Sequence, residues 1–225
     1  MKNKLIWLET ALLLAPLIAL ATLWKELPER VPVHWNLGGQ IDGWGSKPSL
    51  FVMPVAGLMI VALLHFLPWI DPKLRRSAGG QGRMQNALQI LRLALVAFFG
   101  AIFATQIATA LGHAVPMSRL IPSATLLLLA IIGNYLSNLR PNYFAGLRTP
   151  WTLESPETWR ATHRLGGRLL FFGSVILLVL QFVVRQSLFA PLFLASVLLY
   201  AAWAIWYSWH HFNTQGATPL PASKE

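Results

Sequence analysis

The run from Asn142 to Ser155, with Gly146-Leu147-Arg148-Thr149-Pro150-Trp151-Thr152-Leu153 at its centre, gathers more groups able to do chemistry than any other stretch of the chain. It continues through Trp159 and His163-Arg164 to Gly166-Gly167. Catalysis by His163 would need a nucleophile within hydrogen-bond reach. No nucleophile stands at a recognisable spacing from it, so His163 reads as a hydrogen-bonding group rather than a general base. Pro150 drives Thr149 toward extended geometry, and Gly146 permits close backbone approach. Such a segment would dock Arg148 against the face formed by Asn134, Ser137 and Asn138 at i, i+3 and i+4. Ser155-Pro156-Glu157 then combines a preferred N-cap, a proline suited to the first helical position and an acid that complements the positive helix end. The helix it starts puts Trp159 and His163 on one face, with Arg160 and Arg164 on an adjacent one. It reads as a short amphipathic helix on the membrane surface, ended where Gly166-Gly167 turns the chain.

A second constellation lies between Lys25 and Ser49. Val31, Val33 and Trp35 alternate with Pro32, His34 and Asn36, the pattern of a short extended piece, and Gly38-Gly39 reads as a turn. That would cluster His34, Trp35, Asp42 and Trp44 near Lys47. His34 and Asp42 are possible metal ligands, but a pair without an evident third ligand makes a poor site. The segment reads instead as a hydrogen-bonded loop, or as a surface that recognises something outside the cell. No metal or cofactor is expected.

The elements that carry these groups are helices. Of 225 residues, 55% are hydrophobic and only 12% charged, where a soluble domain would carry about 25% charged. The apolar residues form six blocks: Leu5–Trp24, Leu50–Ile70, Leu93–Leu111, Ile121–Leu139, Leu169–Val184 and Leu188–Trp209. Each approaches or reaches the roughly 20 residues that cross a ~30 Å hydrocarbon core. Without alternation, blocks of this length satisfy their backbone in lipid only as helices. The expected fold is an all-α integral membrane protein of six transmembrane helices. The first block begins with basic residues and contains Ala19-Leu20-Ala21, as a cleaved signal would, but its length, Glu9 and Pro16 favour a retained helix.

Net charge is +10, and its distribution is topological. With both termini in the cytoplasm, 13 of the 18 Lys and Arg residues fall inside and 5 outside, as the positive-inside rule requires. Direct nucleic-acid binding is not expected, because no basic stripe with a stacking platform is present. Cysteine is absent, which excludes disulfides, thiol catalysis and Cys-based zinc sites. The predicted organisation is helices one and two with their outer loop (1–70, loop 25–49), a cytoplasmic linker (71–92), a four-helix region with the inner motif loop (93–209, loop 140–168) and a disordered cytoplasmic tail (210–225). Trp203, Trp206 and Trp209 are placed to anchor helix six at headgroup level. Within the blocks, His65, Thr105, Gln106, Thr109 and Gln181 are the polar residues; they read as ties between helices, or as the lining of a small permease or lipid-handling protein. Glu9 and Arg92 lie near the inner ends, where they can snorkel.

Taken together, the two polar loops resemble the SdpI family of bacterial membrane proteins. The inner resemblance rests on Asn142, Gly146 through Leu153, Ser155, Trp159 and His163-Arg164. The outer segment is similar to a domain of unknown function that often accompanies that family, at Pro28, Pro32-Val33-His34-Trp35, Gly39, Asp42 and Lys47. The resemblance implies a non-enzymatic protein of the bacterial cell membrane that confers immunity to a secreted, membrane-active peptide toxin. It also implies a receptor role, in which the toxin-occupied protein holds a transcriptional repressor at the membrane. The outer loop would meet the toxin, and the inner residues Asn142, Gly146, Arg148, Thr149, Trp151, Thr152, Trp159, His163 and Arg164 would serve a cytoplasmic partner.

Overall fold

Apolar blocks of membrane-crossing length are helices in the structure, a computed structural model that describes residues 2–36, 38–76 and 81–216. Helix α1 (Lys2–Leu23) leads to a hairpin of β1 (Arg30–Trp35) and β2 (Ile41–Ser46). A 3-10 turn, Lys47–Phe51, feeds α2 (Val52–Ile70), and α3 (Pro72–Arg76) follows it closely. Next come α4 (Gln81–Ala110), α5 (Met117–Leu136), α6 (Pro150–Glu154), α7 (Pro156–Val183) and α8 (Gln186–His211). Helices α1, α2, α4, α5, α7 and α8 are the six long and apolar enough to cross a membrane. Helices α1 and α2 both pack on α4, which packs on α5; α5 packs on α7, and α7 on α8. Outward-facing Trp7, Met59, Phe172, Val183 and Leu199 are exposed, as suits side chains whose solvent is lipid.

Helix α4 carries a core at each end. Its first half places Met84, Ala87, Leu88 and Leu91 against Leu67, Leu74, Leu136, Leu139 and Trp159. Its second half places Phe103 and Ile107 against Leu20, Leu27, Val31 and Leu50. The hairpin and the motif loop therefore sit at opposite ends of the bundle. Helix α4 begins well before the expected Leu93, so much of the predicted linker is helical. Met84, Ala87, Leu88 and Leu91 recur at helical spacing, and burying that stripe extends the helix through a polar stretch. Residues 77–80 of that linker lie outside the described residues. The expected tail begins as helix, since α8 reaches His211 and a π turn spans Phe212–Gly216; residues 217–225 lie outside the described residues.

Two readings of individual residues are corrected here. Gly166-Gly167 does not turn the chain, because α7 runs unbroken from Pro156 to Val183. The glycine lets α5 and α7 meet backbone to backbone: a Cβ on Gly167 would come within 2.6 Å of the Gly133 carbonyl oxygen, and one on Gly133 within 2.6 Å of the Phe171 nitrogen. Close approach of this kind is how membrane helices gain packing energy without a hydrophobic drive between them. Nor do Glu9 and Arg92 snorkel separately. Arg92 donates through Nε to Glu9 Oε1 at 2.9 Å and through Nη2 to Oε2 at 3.2 Å, a two-pronged pair that ties α1 to α4.

Replacing Gly133 with Val should therefore destabilise the protein in detergent by at least the ~1–3 kcal/mol typical of overpacking. Gly100→Ala is the control, since a Cβ there meets nothing within 4 Å, and it should leave stability unchanged or slightly raised. Urea unfolding of the two variants tests the crossing.

Candidate functional site

Three of the helices that start at the motif end, α3, α6 and α7, start the same way. Asp71-Pro72, Thr149-Pro150 and Ser155-Pro156 each pair an N-capping side chain with a proline at the first helical position. Asp71 Oδ1 accepts from the Lys73 and Leu74 amides. Thr149 and Thr152 form a reciprocal capping box: the Thr152 amide donates to Thr149 Oγ1 at 3.3 Å and the Thr149 amide to Thr152 Oγ1 at 2.9 Å. Ser155 Oγ accepts from the Thr158 amide at 3.2 Å.

Between these caps, side chains stand in for the secondary structure the loop lacks. Asn142 is fully buried; its Oδ1 accepts from the Phe144 and Ala145 amides, and its Nδ2 donates to the Arg140 and Ala145 carbonyls. The indole of Trp159 donates to the Leu139 carbonyl at 2.9 Å and stacks on His163 with ring centroids 3.9 Å apart. His163 Nδ1 lies 2.9 Å from the Trp159 carbonyl oxygen, which can only accept, while Nε2 accepts from the Leu147 amide at 3.0 Å. That pattern defines the neutral Nδ1–H tautomer. With both nitrogens engaged, His163 has no lone pair to offer a substrate. Gly146 makes the approach possible: its φ is +109°, and a Cβ there would overlap His163 Nε2.

Trp159 is only 1% exposed, so the surface-anchor reading of that residue and its helix is corrected. Arg148 does not dock on the Asn134 face; its Nη1 donates to the Tyr143 carbonyl at 2.8 Å, within its own loop. The expected pairing of Trp159 with His163 does occur. Tyr143, Phe144, Arg148 and Arg164 remain exposed, while Trp151 is half-buried on α6. These side chains form the accessible face of the motif, and Asn142, Thr152, Trp159 and His163 form its frame.

Several partners of the frame were missed from the sequence. Asp71, fully buried, also accepts from the Tyr143 amide through Oδ2 at 2.7 Å. Lys73 Nζ donates to the Leu153 carbonyl and lies 4.6 Å from the Tyr143 ring centroid. From α8, Ser208 receives the Thr149 hydroxyl at 2.9 Å, and His211 Nδ1 lies 3.2 Å from Thr158 Oγ1. The Asp71-Pro72 cap is visible in sequence; nothing local points to Ser208 or His211.

At the other end, the hairpin turns at Gly39, with φ +78°. His34 Nδ1 and Asp42 Oδ1 are 2.6 Å apart on its exposed face, beside Trp44, which is 52% exposed. No group of three or more metal-ligating side chains occurs among the described residues. Trp35 is half-buried and paired with Ile41. Lys47 faces inward: it is buried, 3.7 Å from Glu29, with its Nζ 4.9 Å from the Trp24 ring centroid. The hairpin is held on the bundle by Gln106 Nε2, which donates to the Pro32 carbonyl at 2.9 Å. The polar residues expected within the membrane are dispersed. Gln106 holds the hairpin, Thr105 and Thr109 bond back to their own helix, Gln181 donates to Ser123 across α5 and α7, and His65 lies on α2 near the motif end.

Six spanning helices with a compact polar structure at each end define a multi-pass cell-membrane protein. Residues 138–208 match the SdpI/YfhL protein family, and residues 11–58 match DUF1648, a domain of unknown function. The chain thus resembles the SdpI family toward its C-terminal end and carries the accompanying domain toward its N-terminal end. It is 26% identical over 195 residues to the immunity protein SdpI of Bacillus subtilis, covering 85% of this chain and 87% of that protein. It is also 38% identical over 69 residues to an uncharacterized protein of Archaeoglobus fulgidus, covering 25% of this chain and 38% of that one. No solved structure matches.

Because Gly146 is forced into a backbone region L side chains avoid, Gly146→Ala should cost about 1–3 kcal/mol. Arg164→Ala, on the exposed face, should stay within about 0.5 kcal/mol of wild type. Chemical denaturation in detergent separates frame from surface.

Proposed function

We propose that this protein confers immunity to a membrane-active peptide toxin and signals its presence to a cytoplasmic transcriptional repressor. The observation that carries the reading is the division of the polar residues into two structured ends, in a chain similar over most of its length to a named immunity protein. The hairpin, with His34, Asp42 and Trp44 on its open face, is the toxin-facing surface. The motif end, with Tyr143, Phe144, Arg148 and Arg164 exposed, is the surface offered to the repressor. An aromatic next to a hydrogen-bonded His–Asp pair suits a peptide, combining a large apolar contact with polar anchors. The orientation follows the charge bias, with the motif end and both termini in the cytoplasm.

In cells lacking the gene and exposed to a membrane-active peptide, the wild-type protein should restore growth. Trp44→Ala, at equal membrane abundance, should weaken protection by roughly tenfold or more if Trp44 is a binding anchor. Arg148→Ala with Arg164→Ala should keep protection and lose recruitment of the repressor to membranes. Unchanged toxin sensitivity on complementation, with no repressor recruited, would refute the proposal.

Orientation has a separate test, because the chain contains no cysteine. A membrane-impermeant maleimide applied to intact cells should label Trp44→Cys and spare Arg164→Cys. The reverse pattern would invert the topology.

A further inference from the structure

At the motif end, residues of α1, α2, α3 and α4 line a groove of about 490 Å³. Its floor is apolar, formed by Leu64, Leu74, Met84 and Leu88, all buried. Its sides include Ile6 and Trp69, which are exposed on the outer face of the bundle, so the groove opens sideways toward lipid. Trp69 lies at the end of α2, where an indole sits at headgroup level.

The polar lining has one sign. Arg75, Arg92 and Arg140 contribute to it, together with Gln85, Asn86 and Gln89, and among the described residues that line the groove there is no Asp or Glu. Arg92 is balanced by Glu9 through their two-pronged pair, whereas Arg75 is exposed at the groove's end. An occupant must therefore offer apolar chain to the floor and negative charge, with hydrogen-bond acceptors, to the basic end. A zwitterionic headgroup would bring a cation to the same place and gain less. Basic pockets between membrane helices recognise anionic headgroups on this principle, with guanidinium groups matched to phosphate oxygens.

We propose that this groove is a binding site for an anionic phospholipid from the adjoining leaflet, its phosphate held near Arg75 and Arg140 and an acyl chain laid along Leu64, Met84 and Leu88. The site lies against α3, whose cap Asp71 also holds the Tyr143 amide, so a bound lipid would border the motif frame. The inference stands apart from toxin immunity and from the assignment of inside and outside.

Purified full-length protein in neutral detergent, titrated with phosphatidylglycerol or phosphatidylcholine and read by native mass spectrometry, should retain phosphatidylglycerol preferentially. Arg75→Gln and Gln85→Glu should each lower its retention roughly fivefold while leaving phosphatidylcholine unchanged. Arg185→Gln, a loss of charge at the opposite end, should alter neither. Gln85→Glu adds a carboxylate at an exposed position with little change of shape, so the test does not depend on Arg75→Gln folding normally. Equal retention of the two lipids by wild type, or a preference that survives both groove substitutions, would overturn the proposal. Release of bound phosphatidylglycerol by inorganic phosphate would overturn it too, assigning the basic end to free anions.

Discussion

His163 joins the first turns of α7 to the motif loop through both of its ring nitrogens. Its Nδ1 bonds the Trp159 carbonyl and its Nε2 takes the Leu147 amide, while its ring lies flat on Trp159. A buried polar group left unpaired costs about 1–3 kcal/mol, so a loop folded into a bundle's end must find a partner for each one. The motif does this with side chains. Asn142 closes the first bend, Thr149 and Thr152 cap α6, Ser155 caps α7, and Trp159 reaches back to the end of α5. The residues that carry the family resemblance are, for the most part, those that make the loop self-supporting.

The same economy ties the intervening stretch of the chain to each of the two matched segments. Asp71 caps α3 with one carboxylate oxygen and holds the motif loop with the other. At the far end, Gln106 on α4 holds the hairpin through the Pro32 carbonyl. Helix α4 is therefore in contact with both polar ends and carries a separate apolar core at each. Any relation between an event at the hairpin and one at the motif has a continuous packed element to act through. Contiguity of this kind supplies the connection alone; signalling needs an element with two discrete arrangements.

Some of the site was readable before folding. The Ser155-Pro156-Glu157 start, the short extended piece around Val31–Trp35, and the i, i+4 pairing of Trp159 with His163 follow from local geometry, and each stands as expected; the second strand that makes the piece a hairpin was not foreseen. Trp159 as a membrane anchor did not hold, because an indole is equally suited to a headgroup layer and to a core where its N–H meets a carbonyl. Gly166-Gly167 is ambiguous in the same way: absence of a side chain permits a turn and also permits another backbone to come close. The presence of Gly133 on α5 decides between them. The early start of α4 was hidden because its polar face dilutes the hydropathy that marks a span.

What the amino-acid sequence determined alone is the part of the structure that each segment settles within itself: six apolar lengths, the Ser155 cap of α7, and the short extended piece that becomes β1. Helical hydrogen bonds close within four residues, and hydropathy is a property of a window. The tertiary structure decided which polar groups are consumed and which are left to act. Asp71 finds Tyr143 across 72 positions, Gln106 finds Pro32 across 74, and Thr149 finds Ser208 across 59. No local rule relates such pairs, because they meet only when apolar helices have packed and brought their ends into register.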